Sequence, residues 1–157
     1  MRPHHGFTLL EMIVVLAIAA LIIGVGAASL AGLTEEHELS KATVAVEQIF
    51  MTAVHRAGAT SSAQVVAFDD TGLALIGSET GQPSANRTVT LPKGTRLLVR
   101  RFGADKLVPA AGQRVLMRPH GLCEPLQLQL ERQGATVTAS LDPLTGGLVD
   151  VEEHFSR

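Results

Sequence analysis

Hydrophobic and polar positions change rhythm twice along this chain. From Met12 to Leu33, 22 consecutive residues carry neither a formal charge nor a proline. As a helix rising about 1.5 Å per residue, that run covers about 33 Å, enough for a bilayer core of ~30 Å. Leu39, Ala42, Val46, Ile49, Phe50, Ala53 and Ala57 then recur at spacings of three and four, the stripe of an amphipathic helix. Lys41, Glu47, Gln48 and Arg56 fall mostly between them. A continuous helix from Phe7 to Ala57 is predicted, about 75 Å long, greasy all round in its first half and one-sided in its second. Gly58 is its expected stop, and Gly24, Gly26 and Gly32 let neighbouring helices come close to the first half.

Beyond Gly58 the period becomes two. Gln64–Phe68 and Leu73–Ile76 flank Asp69-Asp70-Thr71-Gly72, a hairpin turn. Gly77–Asn86 reads as a polar loop. Arg87–Leu91 and Arg96–Phe102 read as strands around Pro92-Lys93-Gly94, and Gln113–Arg118 as another, ended by Pro119-His120-Gly121. The clearest alternation comes last. Leu126, Leu128 and Leu130 point one way, Val137, Ala139 and Leu141 answer them across Gln133-Gly134, and Leu148, Val149 and Val151 start a final strand after Asp142-Pro143-Leu144-Thr145-Gly146. The pattern predicts an α+β protein: a long N-terminal helix, transmembrane in its first half and amphipathic in its second, packed on a mostly antiparallel β-sheet.

Charge sharpens this picture at two places. Glu11 sits just inside the apolar stretch, where an ionisable group is costly and therefore informative. It can serve as an interfacial acid reaching the headgroups, or as a charge that finds a partner in a helical bundle. Arg87–Arg118 holds eight basic residues against one acid, whereas Glu124–Arg157 holds six acids against Arg132 and Arg157. The basic segment admits three readings: a solvated strand face, a docking surface for acidic neighbours, or a DNA contact through Arg96, Arg100, Arg101 and Lys106. Only Phe102 is at hand to stack on bases.

Candidate chemistry is sparse. Cys123 is the only cysteine, so no disulfide framework and no Cys-x-x-Cys metal pair arises; His120 and Cys123 by themselves do not make a site. There is no Gly-x-Ser-x-Gly, no phosphate loop and no evident carboxylate pair. No enzyme, cofactor or metal is expected. Arg2 precedes the apolar run while Glu35, Glu36 and Glu38 follow it, which places the N-terminus in the cytoplasm and the bulk of the chain across the membrane. A signal peptide cut near Ala27-Ala28-Ser29 is the alternative, against the length of the run.

Gly6-Phe7-Thr8-Leu9-Leu10-Glu11, followed by a long apolar helix, resembles the prepilin signature of type IV pilins and type II secretion pseudopilins. The resemblance implies a pilin-like fold, prepilin peptidase cleavage between Gly6 and Phe7, and N-methylation of Phe7. It also implies an assembly role for Glu11, whose charge attracts the N-terminal amine of a neighbouring subunit. On this basis residues 1–6 are a leader, 7–33 the transmembrane and assembly helix, 34–58 the amphipathic half and 59–157 a periplasmic β-rich domain. The implied partners are other pilins or pseudopilins, prepilin peptidase and an inner-membrane assembly platform. His5 stands where the family often has Lys or Arg, and Ala28 where major pilins commonly carry a kinking proline. Val115-Leu116-Met117-Arg118-Pro119-His120-Gly121, the leucine strand, Asp142-Pro143-Leu144-Thr145-Gly146 and the helix end at Ala53–Ala57 leading into Val65-Val66 resemble H-type minor pseudopilins and related minor pilins. The expected function is therefore a minor pseudopilin of a type II secretion system, with a minor type IV pilin for pilus priming or DNA uptake as the alternative. A membrane-tethered periplasmic enzyme or binding domain is the third class.

Overall fold

The computed structural model describes residues 8–77 and 83–155, and their side chains except those of 25–35 and 83–87. Helix α1 runs Leu9–Thr60, and the chain divides into two units, Met1–Thr34 and Glu35–Arg157. In the first unit the described apolar side chains are exposed on every side, among them Leu9, Leu10, Ile13, Leu16, Leu21 and Ile23. Water does not tolerate such a helix alone; hydrocarbon or neighbouring helices must cover it. The described part, Leu9–Gly24, covers only about 24 Å, and among the described residues no helix is long and apolar enough to cross a membrane. The rest of the uncharged run, 25–33, lies outside the described side chains.

The second unit builds one core. All seven apolar positions of the predicted stripe, from Leu39 to Ala57, are buried, and Val54 joins them. Thr43, also buried, satisfies its hydroxyl by donating to the Leu39 carbonyl at 3.0 Å. Among the described residues nine strands follow: β1 Gln64–Phe68, β2 Gly72–Gly77, β3 Pro83–Thr90, β4 Arg96–Arg101, β5 Val108–Pro109, β6 Arg114–Met117, β7 Leu126–Arg132, β8 Ala135–Leu141 and β9 Leu148–Phe155. The helix stripe shares a single buried cluster with Val66 and Phe68 of β1, Val99 of β4, Leu128 and Leu130 of β7, and Val137 and Leu141 of β8. Phe50 and Phe68 meet at 6.1 Å between ring centroids, tilted by 46°, a favourable aromatic approach.

The expected antiparallel sheet is present as two. One has the order β3-β2-β1-β6 and the other β5-β4-β7-β8-β9. The division falls at Pro92-Lys93-Gly94. Leu91 N still donates to Thr71 O at 2.8 Å, extending β3 beside the first hairpin. Pro92 then has no N–H with which to continue the ladder. β4 pairs instead with the leucine strand, Leu97 opposite Leu130 and Val99 opposite Leu128. Their inward residues alternate in step, which fixes the register.

Three boundaries depart from the sequence pattern. The polar loop expected over Gly77–Asn86 is shortened, because β3 begins at Pro83. A proline is tolerated at the start of an edge strand, and backbone pairing with β2 needs no apolar side chain. The short strand β5 was not expected; two residues leave no periodicity to read. The helix does not stop at Gly58 but continues to Thr60, closing at Ser61 with φ 48° and a Ser61 N to Gly58 O bond of 3.4 Å. Gly58 lies in the last turn of the helix, where a Cβ would meet Gly121 Cα at 4.0 Å, an ordinary contact.

Candidate functional site

Gly6 and Phe7 lie outside the described residues. The described chain starts at Thr8, whose geometry supplies a reason for the residues after it. Thr8 is the N-cap of α1. Its Oγ1 accepts from Glu11 N at 3.3 Å, and its carbonyl accepts from Met12 N at 3.3 Å. Thr8-Leu9-Leu10-Glu11 has the Thr-x-x-Glu spacing of a capping box, in which an N-cap hydroxyl satisfies a backbone donor of the first turn. The spacing is legible in the sequence, but the pattern there suggested for Glu11 an interfacial acid or an intersubunit charge, and no part in a cap. Glu11 is exposed in the first turn, where the positive end of the helix dipole favours a carboxylate. Helix start and negative charge are thus one local construction.

The basic segment is scattered over several elements. Arg96 pairs across the strands with Glu131 at 3.6 Å. Arg101 is held twice, by Glu124 at 2.6 Å and by the Arg114 carbonyl at 2.8 Å. Both are partly exposed pairs of modest worth. Arg100 and Lys106 are exposed, and no ion pair engages them among the described residues. Of the four candidate contacts, two are therefore occupied within the chain and two are available to a partner.

Cys123 and His120 do not converge. His120 is exposed, whereas Cys123 is buried, donating its N–H to Pro143 O at 3.0 Å. Its thiol lies 3.7 Å from Asp142 O. Burial, with the nearby Asp142 charge, pushes the thiol pKa up to about 11. Among the described residues no three His, Cys, Asp or Glu side chains come together as a metal set.

The turn Asp142–Gly147 joins sheet to helix. Asp142 accepts from Thr145 Oγ1 at 2.7 Å and from Leu144 N at 3.0 Å, which holds its carboxyl below the usual carboxylate range. Glu47 reaches from α1 to accept from Leu148 N at 3.0 Å. Gly121 and Gly146 both sit against the helix backbone: a Cβ on Gly121 would lie 3.5 Å from Val54 O, and one on Gly146 only 2.8 Å from Phe50 O. The two glycines of the sequence motifs are thus contact points between loop and helix.

The prokaryotic N-terminal methylation motif family matches residues 1–27, the stretch that holds the Thr8 cap and Glu11. The fold is similar to that of the type IV minor pilin FimU of Pseudomonas aeruginosa, with a TM-score of 0.51 and 15% identity over 80% of this chain and 92% of that one. Its fold is type IV pilin-like. Its similarity to the solution structure of E. coli GspH is weaker, with a TM-score of 0.42 and 16% identity over 77% of this chain and 90% of that one. No curated protein sequence matches it.

Proposed function

We propose that this pilin-like chain is an H-like minor pseudopilin, a structural subunit of the periplasmic pseudopilus of a type II protein secretion system. Prepilin peptidase cuts between Gly6 and Phe7 and N-methylates Phe7. The chain then rests in the bacterial inner membrane with its N-terminus cytoplasmic and residues 59–157 periplasmic, until an assembly platform, driven by a cytoplasmic ATPase, extracts it into the filament. Its mechanism is assembly rather than turnover.

One observation carries the reading: a helix apolar on every described side begins at a Thr8 cap with Glu11 in its first turn. In a packed bundle such a charge needs a counter-charge, and the amine freed on Phe7 of a neighbouring subunit supplies it. The choice of a type II system is supported by the motifs around Gly121 and Gly146, whose glycines make the loop-to-helix contacts of the domain. A minor type IV pilin for pilus priming or DNA uptake is the second reading, favoured by the exposed cations Arg100 and Lys106.

Intact mass of the protein extracted from membranes tests the class. A chain beginning at Phe7 with one added methyl is expected; an intact Met1, or a start near Ser29, overturns it. Deletion of the gene separates the two filaments. Loss of export of folded periplasmic enzymes supports the type II reading, and loss of twitching or transformation supports the pilus.

A further inference from the structure

The outer face of the five-stranded sheet is polar, and its rows of side chains differ in how far they are satisfied. In one row Arg96, Glu131 and Thr136 stand opposite one another on β4, β7 and β8. There Glu131 takes up both Arg96, at 3.6 Å, and the amide of Gln129, at 2.8 Å. Towards the other end of the same strands, Arg100, Gln127 and Ser140 form the corresponding row. Among the described residues no hydrogen bond or ion pair engages the side chains of these three.

That unengaged row lines a cleft of about 360 Å³, with Phe102, Pro125 and Leu141 as its apolar wall. Phe102 is 86% exposed. A tight turn sets it there: Ala104 N donates to Arg101 O at 3.0 Å, and Gly103 takes φ 81°. Arg101 also lines the cleft, but Glu124 and the Arg114 carbonyl hold it. Among the described residues no acid lines the cleft, so the charge of Arg100 stands uncompensated within it. A single exposed phenylalanine or arginine is ordinary on a protein surface. Here a guanidinium, an amide, a hydroxyl and an aromatic ring converge on one concave space, and convergent polar groups beside an apolar wall are what a ligand site offers.

The unengaged groups define the ligand. A guanidinium presents two parallel N–H groups that match one carboxylate. The Gln127 amide and the Ser140 hydroxyl both donate and accept, as the N–H and C=O of a peptide bond require. Across three neighbouring strands the row spans about 10 Å, and one extended residue covers about 3.5 Å. The row therefore has room for a carboxylate and the two peptide units beside it. A nucleic-acid strand fits less well, because one unengaged guanidinium neutralises one phosphate and one ring stacks one base. We propose that this cleft binds a carboxylate of a peptide segment, with Arg100 on the carboxylate, Gln127 and Ser140 on the backbone, and Phe102 against an adjoining apolar side chain. An acidic side chain and a chain end both supply that carboxylate. The site stands whichever filament system the chain serves.

The test uses the full isotope-labelled chain in nonionic detergent micelles, titrated with small peptides while its amide resonances are followed. N-acetyl-glutamyl-leucinamide offers a side-chain carboxylate, and N-acetyl-leucine offers a chain end. Saturable shifts at Arg100, Phe102, Gln127 and Ser140 are expected with at least one of them; if only one binds, it names the source. The matching amides, N-acetyl-glutaminyl-leucinamide and N-acetyl-leucinamide, lack the carboxylate and are expected to bind about tenfold more weakly. Arg100→Gln is expected to erase that difference between acid and amide. Phe102→Ala is expected to keep it while removing the preference for leucine over glycine in the probe. Both positions are exposed or half-exposed, and the unshifted remainder of the spectrum serves as the folding control. No saturable shift with either acid, equal binding of the amides, or an acid preference that survives Arg100→Gln overturns the proposal. So does an oligothymidylate that shifts the same amides at lower concentration than either peptide; the cleft then belongs to nucleic acid.

Discussion

Gly146 presses its backbone onto the carbonyl of Phe50: a Cβ at that position would lie 2.8 Å from Phe50 O and 2.9 Å from Val54 Cγ2, with φ at 72°. Phe50 is itself fully buried against β1. The approach of one turn to one helical carbonyl therefore sets the distance between α1 and the sheet that carries β8 and β9. Gly146→Ala is expected to combine left-handed strain with overpacking against backbone, and to destabilise the domain by about 2–5 kcal/mol. Gly94→Ala is the control. Its φ is similar, 82°, but nothing lies within 4 Å of the added carbon, so only about 1–2 kcal/mol is expected. Denaturant midpoints of the two variants decide it, and equal losses would remove the packing argument.

Glu47 makes the second tie at the same joint, accepting from Leu148 N across 101 residues of sequence. Glu47→Ala leaves that half-buried N–H without its acceptor and is expected to lower stability by about 1–2 kcal/mol. Glu47→Gln keeps an oxygen in place and is expected to lose less. Hydrogen exchange at the Leu148 amide gives a local readout: it speeds up in the alanine variant and stays protected in the glutamine variant.

Acid sensitivity is expected from the two aspartate turns. Thr71 donates its hydroxyl and its N–H to Asp69, which lowers the Asp69 pKa. Thr145 and Leu144 do the same for Asp142. A carboxylate whose folded pKa is depressed adds stability that is present above the unfolded value, about 3.9, and is lost as pH falls through the folded value. The unfolding midpoint is therefore expected to hold from pH 7 to about 5 and to decline below about 4. The double variant Asp69→Asn, Asp142→Asn is expected to be less stable at neutral pH and to show a shallower decline in acid. An unchanged slope would assign the acid response to other groups.

Cys123 is expected to be inert in the folded domain. With its pKa near 11, roughly one thiol in ten thousand is ionised at pH 7, and the thiolate is the reactive form. Titration with a thiol reagent at pH 8 is expected to give almost no reaction in native protein and one equivalent in denaturant. Rapid native labelling would contradict the burial of this loop.

What the sequence made legible follows from the range of each interaction. The helix stripe and the leucine strand are periodic, so Leu39, Val46, Phe50, Leu128 and Val137 were placed in the core from spacing alone, and they are buried. The hairpin at Asp69 was equally plain, because its turn chemistry is local. The division into two sheets was not legible, since it depends on whether β4 meets β3 or β7, and nothing near Pro92 records that choice. Gly58 shows the limit most sharply. A glycine near a helix end reads as a stop, yet α1 runs past it to Thr60 and closes at Ser61. At the N-terminus the situation is reversed: Thr8 and Glu11 are three residues apart, and their capping relation was open to a sequence reader.

That capping relation allows the two roles of Glu11 to be separated. If Glu11 matters only as a helix starter, then removing the Thr8 hydroxyl is the more damaging change, since Thr8 Oγ1 is the acceptor for Glu11 N. Loss of an N-cap costs about 0.5–2 kcal/mol and frays the first turn. If Glu11 matters as a charge between subunits, then Glu11→Gln is the more damaging change, because it keeps the length and hydrogen-bonding capacity but leaves a neighbouring amine uncompensated in an apolar bundle. The expected outcome is that Glu11→Gln still inserts and is still cut after Gly6 yet enters filaments poorly, while Thr8→Val is processed and assembles nearly as well as the parent. Immunoblots of membrane and sheared-filament fractions, with the mass of the mature chain as the processing control, read both steps. Normal incorporation of Glu11→Gln would remove the intersubunit charge role, and failure of Thr8→Val alone would show that the order of the first turn, and not its charge, governs assembly.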